Sequence, residues 1–441
     1  MQQPKEEETP VTLRTPSRRR SALLLVAAAA LMASACTDSK ASTGAPKSTS
    51  TSGASTSTSA GQPATGALGP PKAATGDPVT IGYSFDGATD AADNTDDVIG
   101  ARAAVEYVNQ YLGGIGGRPI KLDVCATNLD PAKATACATQ FATDDVKAVL
   151  AANGGQAGVE FTPLAKQGIP VFLTAGLEAS LQNNPHVFIV TGGSSLSLAA
   201  PAQLAKQAGA KHATLFVIDI PAAAEPLKAG APRYYQAAGI KVDVVTVPPD
   251  VADFTPQVAA AMTKDPGQFY LVGTPAFCTR AINAIEAQNF TGQILGLQFC
   301  FDENSPKTVT KLKGIKVVAG RSFERGDAEY NLYKAVMDKF ASKGVQLEGA
   351  PAAGGYSTVV AFARAVSGLK GPVTRSSITA AISSMSSQKK PLGGGLTFQC
   401  NKPDPTATSI CSTGGLVATL DADGNYTNWR TTDASGLLKK G

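Results

Sequence analysis

Seven cysteines are the residues whose type and spacing bear most directly on chemistry in this chain. Six of them fall into pairs of sequence neighbours: Cys125 with Cys137, Cys278 with Cys300, and Cys400 with Cys411. No Cys-X-X-Cys motif is present, and the two histidines, His186 and His212, lie far from the cysteines in sequence, so nothing predicts a metal ion or another cofactor. Outside the cytosol an even set of cysteines forms disulfides, and short loops favour these neighbouring pairs.

The seventh cysteine, Cys36, follows a segment typical of a secretory signal peptide. Arginines at 18–20 precede a short apolar stretch and then small residues. The apolar stretch is too short to span a bilayer, which takes about 20 residues. The placement of Cys36 resembles the lipobox of bacterial lipoproteins, in which the cysteine sulfur carries a diacylglycerol, although Ala33 stands where that box usually begins with Leu. We predict a signal peptide over 1–35 and lipidation of Cys36; an ordinary signal peptide and twin-arginine export are the alternatives.

Residues 36–77 have the composition of a linker, because Ser, Thr, Ala, Gly and Pro make up almost all of them. Such a segment is predicted to stay disordered and to tether a folded body to the outer face of the cell membrane. The whole chain has a formal net charge of only +4, which gives no reason to expect a nucleic-acid partner.

Short β-branched runs alternate with helical patterns from Pro78 onward. The runs are PVTIGYSF, IKLDVCAT, VKAVLAAN, IPVFLTA and HVFIVTGG, then HATLFVID, KVDVVTVP, QFYLVGTP, GQILGLQF and IKVVAGRSF. Buried strands separated by helices predict parallel sheets that are covered on both faces. Two series of five strands predict an α/β fold with two doubly wound lobes.

The alternation ends near residue 325. Residues 327–342 and 351–369 are helical patterns without an intervening strand, TRSSITAAISSM is a third, and the segment from LTFQC to NYTNW is typical of β-hairpins. We predict lobe 1 over 78–198 and 325–412, and lobe 2 over 199–324 and 413–441. Several chain crossings would then form a hinge that permits closure around a ligand.

The stretch NQYLGGIGGRPIKL is the most specific part of a resemblance that extends from Pro78 to Trp429. Together with IGYSFDG and VKAVLAANGGQAGVEFTPLAKQGIPVFLTAG, it resembles the extracellular solute-binding proteins of branched-chain amino acid ABC importers. The resemblance implies a type I periplasmic-binding fold that clamps a ligand between two lobes. Its GGIGG motif follows a helix and precedes a strand, the reverse of a dinucleotide-binding loop, so we interpret it as a helix end and tight turn.

Ligands of open α/β sheets bind beyond the carboxyl ends of the strands, so those ends define the candidate site. The predicted ligand-binding residues of the first lobe are Ser84, Asp86, Asn153, Gly154, Gly155, Gln156, Thr174, Ala175 and Gly176. The second lobe and the returning segment add Asp219, Thr274, Gln298, Phe299 and Tyr356, of which Tyr356 is expected to open a helix.

The resemblance also implies that the polar anchors of an amino-acid pocket have changed. Aligned with the family, Gly154 replaces Ser, Leu177 replaces Thr, Ala223 and Thr274 replace Tyr, and Gln298 replaces Glu. A desolvated ammonium group without a carboxylate partner costs several kcal/mol, whereas a neutral amide suits a hydroxyl, amide or carbonyl group. The expected ligand is a neutral or acidic small molecule; Asp86 or Asp219 would restore a cation site and keep an amino acid as the alternative.

The expected function is capture of a small organic solute and its delivery to an ABC permease and ATPase complex by a monomeric, lipid-anchored protein. A lipoprotein that senses a ligand and signals to a membrane receptor is an alternative. A secreted enzyme is disfavoured because both histidines precede strands and therefore face away from the cleft. The acidic pair Asp96 and Asp97 opens a helix, where the helix dipole accounts for it.

Overall fold

The computed structural model describes residues 64–89, 93–153, 156–176, 178–192, 195–302, 304–347, 350–402, 404, 407–433 and 435–437. The predicted signal peptide, Cys36 and the linker as far as residue 63 lie outside these residues, and so do Gly154 and Gly155. Within the described ranges, no helix is both long and apolar enough to cross a bilayer.

The first sheet has five parallel strands in the order β2-β1-β3-β4-β5. Its strands are β1 (Val79–Phe85), β2 (Ile120–Ala126), β3 (Val149–Ala151), β4 (Val171–Leu173) and β5 (Val187–Ile189). The connecting helices are α1 (Thr95–Tyr107), α2 (Pro131–Thr143) and α3 (Ala157–Lys166). Every residue of β3, β4 and β5 is buried, as expected for short apolar strands that are covered on both faces.

The second sheet has seven strands in the order β14-β13-β10-β9-β8-β6-β7. Its parallel strands are β6 (His212–Ile218), β7 (Lys241–Val247), β8 (Gln268–Val272), β9 (Gln293–Leu297) and β10 (Lys316–Ala319). The helices between residues 200 and 308 are α4 (Ala200–Gln207), α5 (Pro221–Ala237), α6 (Thr255–Met262), α7 (Pro275–Ala287) and α8 (Ser305–Thr308). The prediction of two doubly wound parallel lobes is confirmed.

After β10 the chain returns to the first sheet and ends in the second. The returning elements are α9 (Ala328–Phe340), α10 (Ala350–Ala365), α11 (Arg375–Ser383) and the pair β11 (Gln388–Lys389) and β12 (Thr397–Phe398). The last hairpin, β13 (Gly414–Leu420) and β14 (Tyr426–Asp433), joins the second sheet by antiparallel pairing of β13 with β10. The boundaries between the lobes stay a prediction.

Helices α1 and α10 pack closely because each places a glycine against the other's backbone. A Cβ on Gly100 would overlap the carbonyl group of Ala352, and one on Gly355 would overlap that of Asp97. Glycine inside a helix costs stability relative to alanine, so its use here reflects the close approach of the two helices.

The prediction that the linker is disordered as far as residue 77 is wrong for residues 64–77. Ala64–Leu68 forms a 3-10 turn beside α9, and the Leu68 side chain is only 6% exposed. The backbone N–H groups of Lys72 and Ala74 donate to the carbonyl groups of Gln110 and Asn109 at 2.9 and 2.7 Å. A buried leucine and paired backbone groups hold this segment, although its composition alone is typical of disorder.

The structure contains the three predicted disulfides, Cys125–Cys137, Cys278–Cys300 and Cys400–Cys411, and confirms that pairing. The GGIGG motif is a turn, as predicted. Gly113 caps the helical segment in the left-handed conformation, and Ile115 pairs with Arg118 in an isolated β-bridge.

Candidate functional site

Both sheets have a topological switch point, where successive connections leave a strand in opposite directions. The switch lies between β1 and β3 in the first sheet and between β6 and β8 in the second. Asp86 and Asn153 follow β1 and β3, while Asp219 and Thr274 follow β6 and β8. These four predicted residues therefore lie at the edges where open α/β sheets bind ligands.

The predicted site residues differ in exposure. Asn153, Asp219, Thr274 and Phe299 are exposed, whereas Asp86, Gln156, Ala175, Gly176 and Gln298 are partly exposed. Ser84, Thr174 and Tyr356 are buried. The structure thus supplies nine accessible positions at or near strand ends and three that lie in the interior; their contact with a ligand stays a prediction.

Tyr356 is misplaced in the sequence-based site. It lies in the interior of α10 rather than at its start, and its side chain is 0% exposed. Its ring packs against that of Tyr333, with 4.9 Å between the ring centroids. Tyr356 therefore belongs to the core of the first lobe, because the apolar face of α10 is turned toward the sheet.

Ser84 and Thr174 lie beneath the edge of the first sheet rather than on it. The Thr174 hydroxyl is 2.6 Å from the Thr358 hydroxyl of α10, and Thr358 donates to the carbonyl group of Gly354 at 2.9 Å. These hydroxyl groups tie the end of β4 to α10. They thereby stabilise the carboxyl edge of the first sheet from the interior of the protein.

Asp97 was interpreted above as an acid explained by the helix dipole, and the structure corrects that interpretation. Its side chain is 4% exposed and accepts a hydrogen bond from the Tyr83 hydroxyl. Burial raises the pKa of Asp97 to about 7, while the Tyr83 hydroxyl and the Arg321 guanidinium oppose the rise. Its neighbours in space, which the sequence does not show, make it part of a buried polar network below the switch point.

Glu160 in α3 is a second buried acid that sequence reasoning missed. Its side chain is 1% exposed, and its Oε1 atom has no hydrogen-bond partner within the described part of the chain. Burial raises the pKa of Glu160 to about 8, and a hydrogen bond from the Ser84 hydroxyl opposes the rise. Asp97 and Glu160 thus lie beneath opposite faces of β1, next to Tyr83 and Ser84.

Arg321, two residues beyond β10, was also missed. A Cβ built on Gly354 would lie 3.2 Å from Nη2 of Arg321 and 3.0 Å from the Cβ of Ala152, which directly follows β3. The guanidinium therefore lies over the switch point of the first sheet, although its backbone follows a strand of the second. The sequence signal was a charged residue just beyond a strand, in IKVVAGRSF.

The accessible edge of the second sheet is a 3-10 turn, Gln298–Cys300, directly after β9. The disulfide Cys278–Cys300 ties this turn to α7. Phe299 is 61% exposed, which is unusual for a large apolar side chain and presents a ring beyond the strand ends. Thr274 caps α7 by accepting a hydrogen bond from the Phe277 N–H at 3.3 Å, so its hydroxyl already has a structural role.

The two histidines lie at the opposite, amino-terminal edges. His186 precedes β5, and His212 begins β6, where its Nε2 atom is 2.9 Å from Oδ2 of Asp243. Each of the two sheets therefore has accessible polar residues at its switch point, and His186 and His212 lie at the edges away from them.

Comparison with known proteins identifies the family. The model of the periplasmic binding protein family matches residues 78–409, and the chain belongs to that family. Its members are extracytoplasmic solute-binding proteins rather than enzymes. No curated protein sequence matches the chain.

Solved structures share the type I periplasmic-binding fold at low sequence identity. LivJ from Streptococcus pneumoniae, solved with isoleucine, is 19% identical with a TM-score of 0.62; the match covers 81% of this chain and 99% of LivJ. A fatty acid ABC transporter substrate-binding protein from Thermomonospora curvata is 15% identical, with a TM-score of 0.63 and coverages of 82% and 94%. A solute-binding protein from R. palustris, in complex with benzoate, is 18% identical, with a TM-score of 0.60 and coverages of 79% and 95%.

Proposed function

We propose that this protein is the substrate-binding component of an ABC importer, which captures a small organic solute between its lobes and delivers it to a membrane permease. The observation that carries the proposal is the pair of switch points with accessible polar residues, Asp86 and Asn153 in one sheet and Asp219 and Thr274 in the other. Such edges bind ligands, and closure of the lobes would enclose one.

The proposed solute is not leucine, isoleucine or valine. Gln298 follows β9 where the resembling family has an acidic residue, and a neutral amide does not compensate a desolvated ammonium group. Proteins of the same fold are associated with chemically different solutes: LivJ was solved with isoleucine, the R. palustris protein with benzoate, and the T. curvata protein belongs to a fatty acid transporter. The fold therefore leaves the ligand open, and the side chains at the strand ends decide it.

The proposed location is the outer face of the cell membrane, where a lipid on Cys36 would hold the protein. Three disulfides support an oxidising compartment. Removal of Cys36 by Cys36→Ala should release the protein into the medium. Membrane fractionation of both forms measures this, and an unchanged membrane fraction would show that the lipid anchor is wrong.

Native mass spectrometry of the protein purified from its own cells, followed by calorimetric titration, tests the function. We expect a bound small molecule, and binding of leucine, isoleucine and valine weaker than micromolar. The Gln298→Glu variant should shift preference toward amines by about tenfold, since 1.4 kcal/mol is modest for a buried charge pair. Micromolar binding of leucine to the wild-type protein, or an unchanged preference in the variant, would contradict the proposal.

A further inference from the structure

Arg321 is largely but not fully buried, and it has no hydrogen-bond or ion-pair partner among the described residues. Its Nε atom is inaccessible and has no hydrogen-bond partner, and within the described residues its guanidinium forms no salt bridge. Arg364 shows what a structural arginine looks like here: its Nη1 donates to Oε2 of Glu329 at 2.9 Å and to the carbonyl group of Lys389 at 2.8 Å. A guanidinium has five donors, so the absence of any such contact at Arg321 is costly unless something else supplies acceptors.

A second buried cation lies near Arg321. Lys390 is almost fully buried, and its Nζ atom donates to the carbonyl group of Gly320, the residue before Arg321, at 3.0 Å. Burial lowers the pKa of Lys390 to about 7, and the charge on Arg321 adds to that effect. The returning segment thus places a second basic group beside Arg321, and both burial and the Arg321 charge disfavour its protonated form.

The acidic groups in the same region do not neutralise Arg321 by contact. Asp97 accepts its hydrogen bond from Tyr83 and makes no ion pair with Arg321. Burial raises the pKa of Asp97 to about 7 and that of Glu160 to about 8, so neither carboxyl group is fully ionised near neutral pH. The charge of Asp86, which follows β1, adds to the rise of both pKa values.

We propose that Arg321 is the specificity-determining anchor for a carboxylate group of the solute. This inference rests on the proposed function. An arginine fork pairs with a carboxylate through two parallel hydrogen bonds, which fits a guanidinium whose donors are unused. The exposed Phe299 ring would contact an apolar part of the same solute. Strands β9 and β10 are parallel neighbours, and Phe299 and Arg321 each lie two residues beyond the end of their strand. The substrate class is a small organic monocarboxylate with an apolar body.

The test screens the purified protein by thermal unfolding with two sets of compounds, each of which shares one apolar group and varies the polar group. One set is isocaproate, isocaproamide, isoamylamine and leucine, and the other is benzoate, benzamide, benzylamine and phenylglycine. We expect stabilisation by the simple carboxylates only. Calorimetry with the best carboxylate should show about 100-fold weaker binding in Arg321→Met and about tenfold weaker binding in Arg321→Lys, which keeps the charge but loses the fork.

Arg325→Met is the matched control, because Arg325 is exposed on the same segment and should leave the affinity within twofold. Ligand-free Arg321→Met should melt about 2–4 °C above the wild type, since an unpaired buried charge is removed; a structural ion pair would give the opposite sign. Unchanged affinity in Arg321→Met, equal binding of acid and amide, or no binding of any carboxylate would overturn the inference. If amides or amines bind instead, solute capture stands; if no class binds and no solute co-purifies, the proposed function fails as well.

Discussion

The two sheets have the same switch-point topology, yet the buried amide of Gln268 in the second sheet and the buried carboxyl group of Glu160 beside the first lie at opposite edges. In the second sheet Gln268, the first residue of β8, accepts from the Tyr235 hydroxyl at 2.8 Å and donates to Pro201 and Gln293 at 3.1 and 2.8 Å. In the first sheet the buried polar groups lie near the carboxyl edge, where Glu160 and Arg321 each keep an atom without a partner.

This difference separates a structural network from a candidate binding site. The donors and acceptors of Gln268 are used within the protein, so the network has no capacity for a ligand. The network near β1 is incomplete and lies at the edge where ligands bind. The burial of a polar group therefore does not by itself indicate a binding site. The position of the group along the strands, and the hydrogen-bonding atoms that it leaves unused, distinguish the two cases.

The largest expected effect concerns the helix contact that holds the first network in place. Gly355→Ala should lower the free energy of unfolding by about 3 kcal/mol or prevent folding, because its Cβ would overlap the Asp97 carbonyl group. Gly354→Ala is the matched control; its nearest contacts, 3.0 Å to the Ala152 Cβ and 3.2 Å to Arg321 Nη2, require far smaller displacements than the overlap at Gly355, so the cost should stay below about 1 kcal/mol. Urea unfolding measures both, and equal losses would argue against this packing.

The second prediction compares how a disulfide in each lobe affects stability and solute binding. Replacing both Cys278 and Cys300 by serine should cost about 3 kcal/mol of stability and also weaken solute binding, because the turn with Phe299 is released. Replacing Cys125 and Cys137 should cost a similar amount but leave affinity within about twofold. Thermal unfolding and calorimetry of both double variants check this. Equal effects on binding would show that the turn does not line the site.

Gln268→Leu is expected to cost about 2 kcal/mol, because it leaves the buried Tyr235 hydroxyl without its acceptor. Solute affinity should not change, since this network lies at the edge away from the ligand. Denaturant unfolding and titration of the same preparation give both values. A large loss of affinity at normal stability would mean that the two networks were assigned the wrong roles.

The smallest effect is a pH dependence. Because burial raises the pKa of Glu160 to about 8, the folded protein keeps a proton that the unfolded chain has lost between pH 5 and 7. Stability therefore falls as pH rises through this range, by about 1 kcal/mol per pH unit for this group. Glu160→Gln should reduce the slope by that amount and leave the part due to Asp97. A slope that is the same in both proteins would contradict the buried environment of Glu160.

The strands could be predicted from the sequence because short β-branched runs bounded by turns depend on local pattern. The disulfides followed from neighbouring cysteines. The segment 64–77 was predicted to be disordered because its overall composition is typical of a linker. Overall composition does not show that one side chain, that of Leu68, is buried in the core.

The site was predicted less well because its distinctive groups come together only in three dimensions. Asp97 and Arg321 are far apart in sequence, and nothing local shows that both lie near β1 and β3. Tyr356 was assigned to the site because it was expected to open a helix, but it lies inside α10, where helix periodicity turns it into the core. Strand ends indicate where a site lies, and packing decides which side chains reach it.

Hydrogen–deuterium exchange with the solute identified by native mass spectrometry tests most directly whether the two sheet edges form one site. We expect solute binding to slow hydrogen exchange near Asp86 and Gln156 in the first lobe, and at Gln298–Cys300 in the second. Both lobes must respond, since the solute is held between them. Protection confined to one lobe, or centred on the groove lined by His186 and Arg375 at the opposite edge of the first sheet, would contradict it.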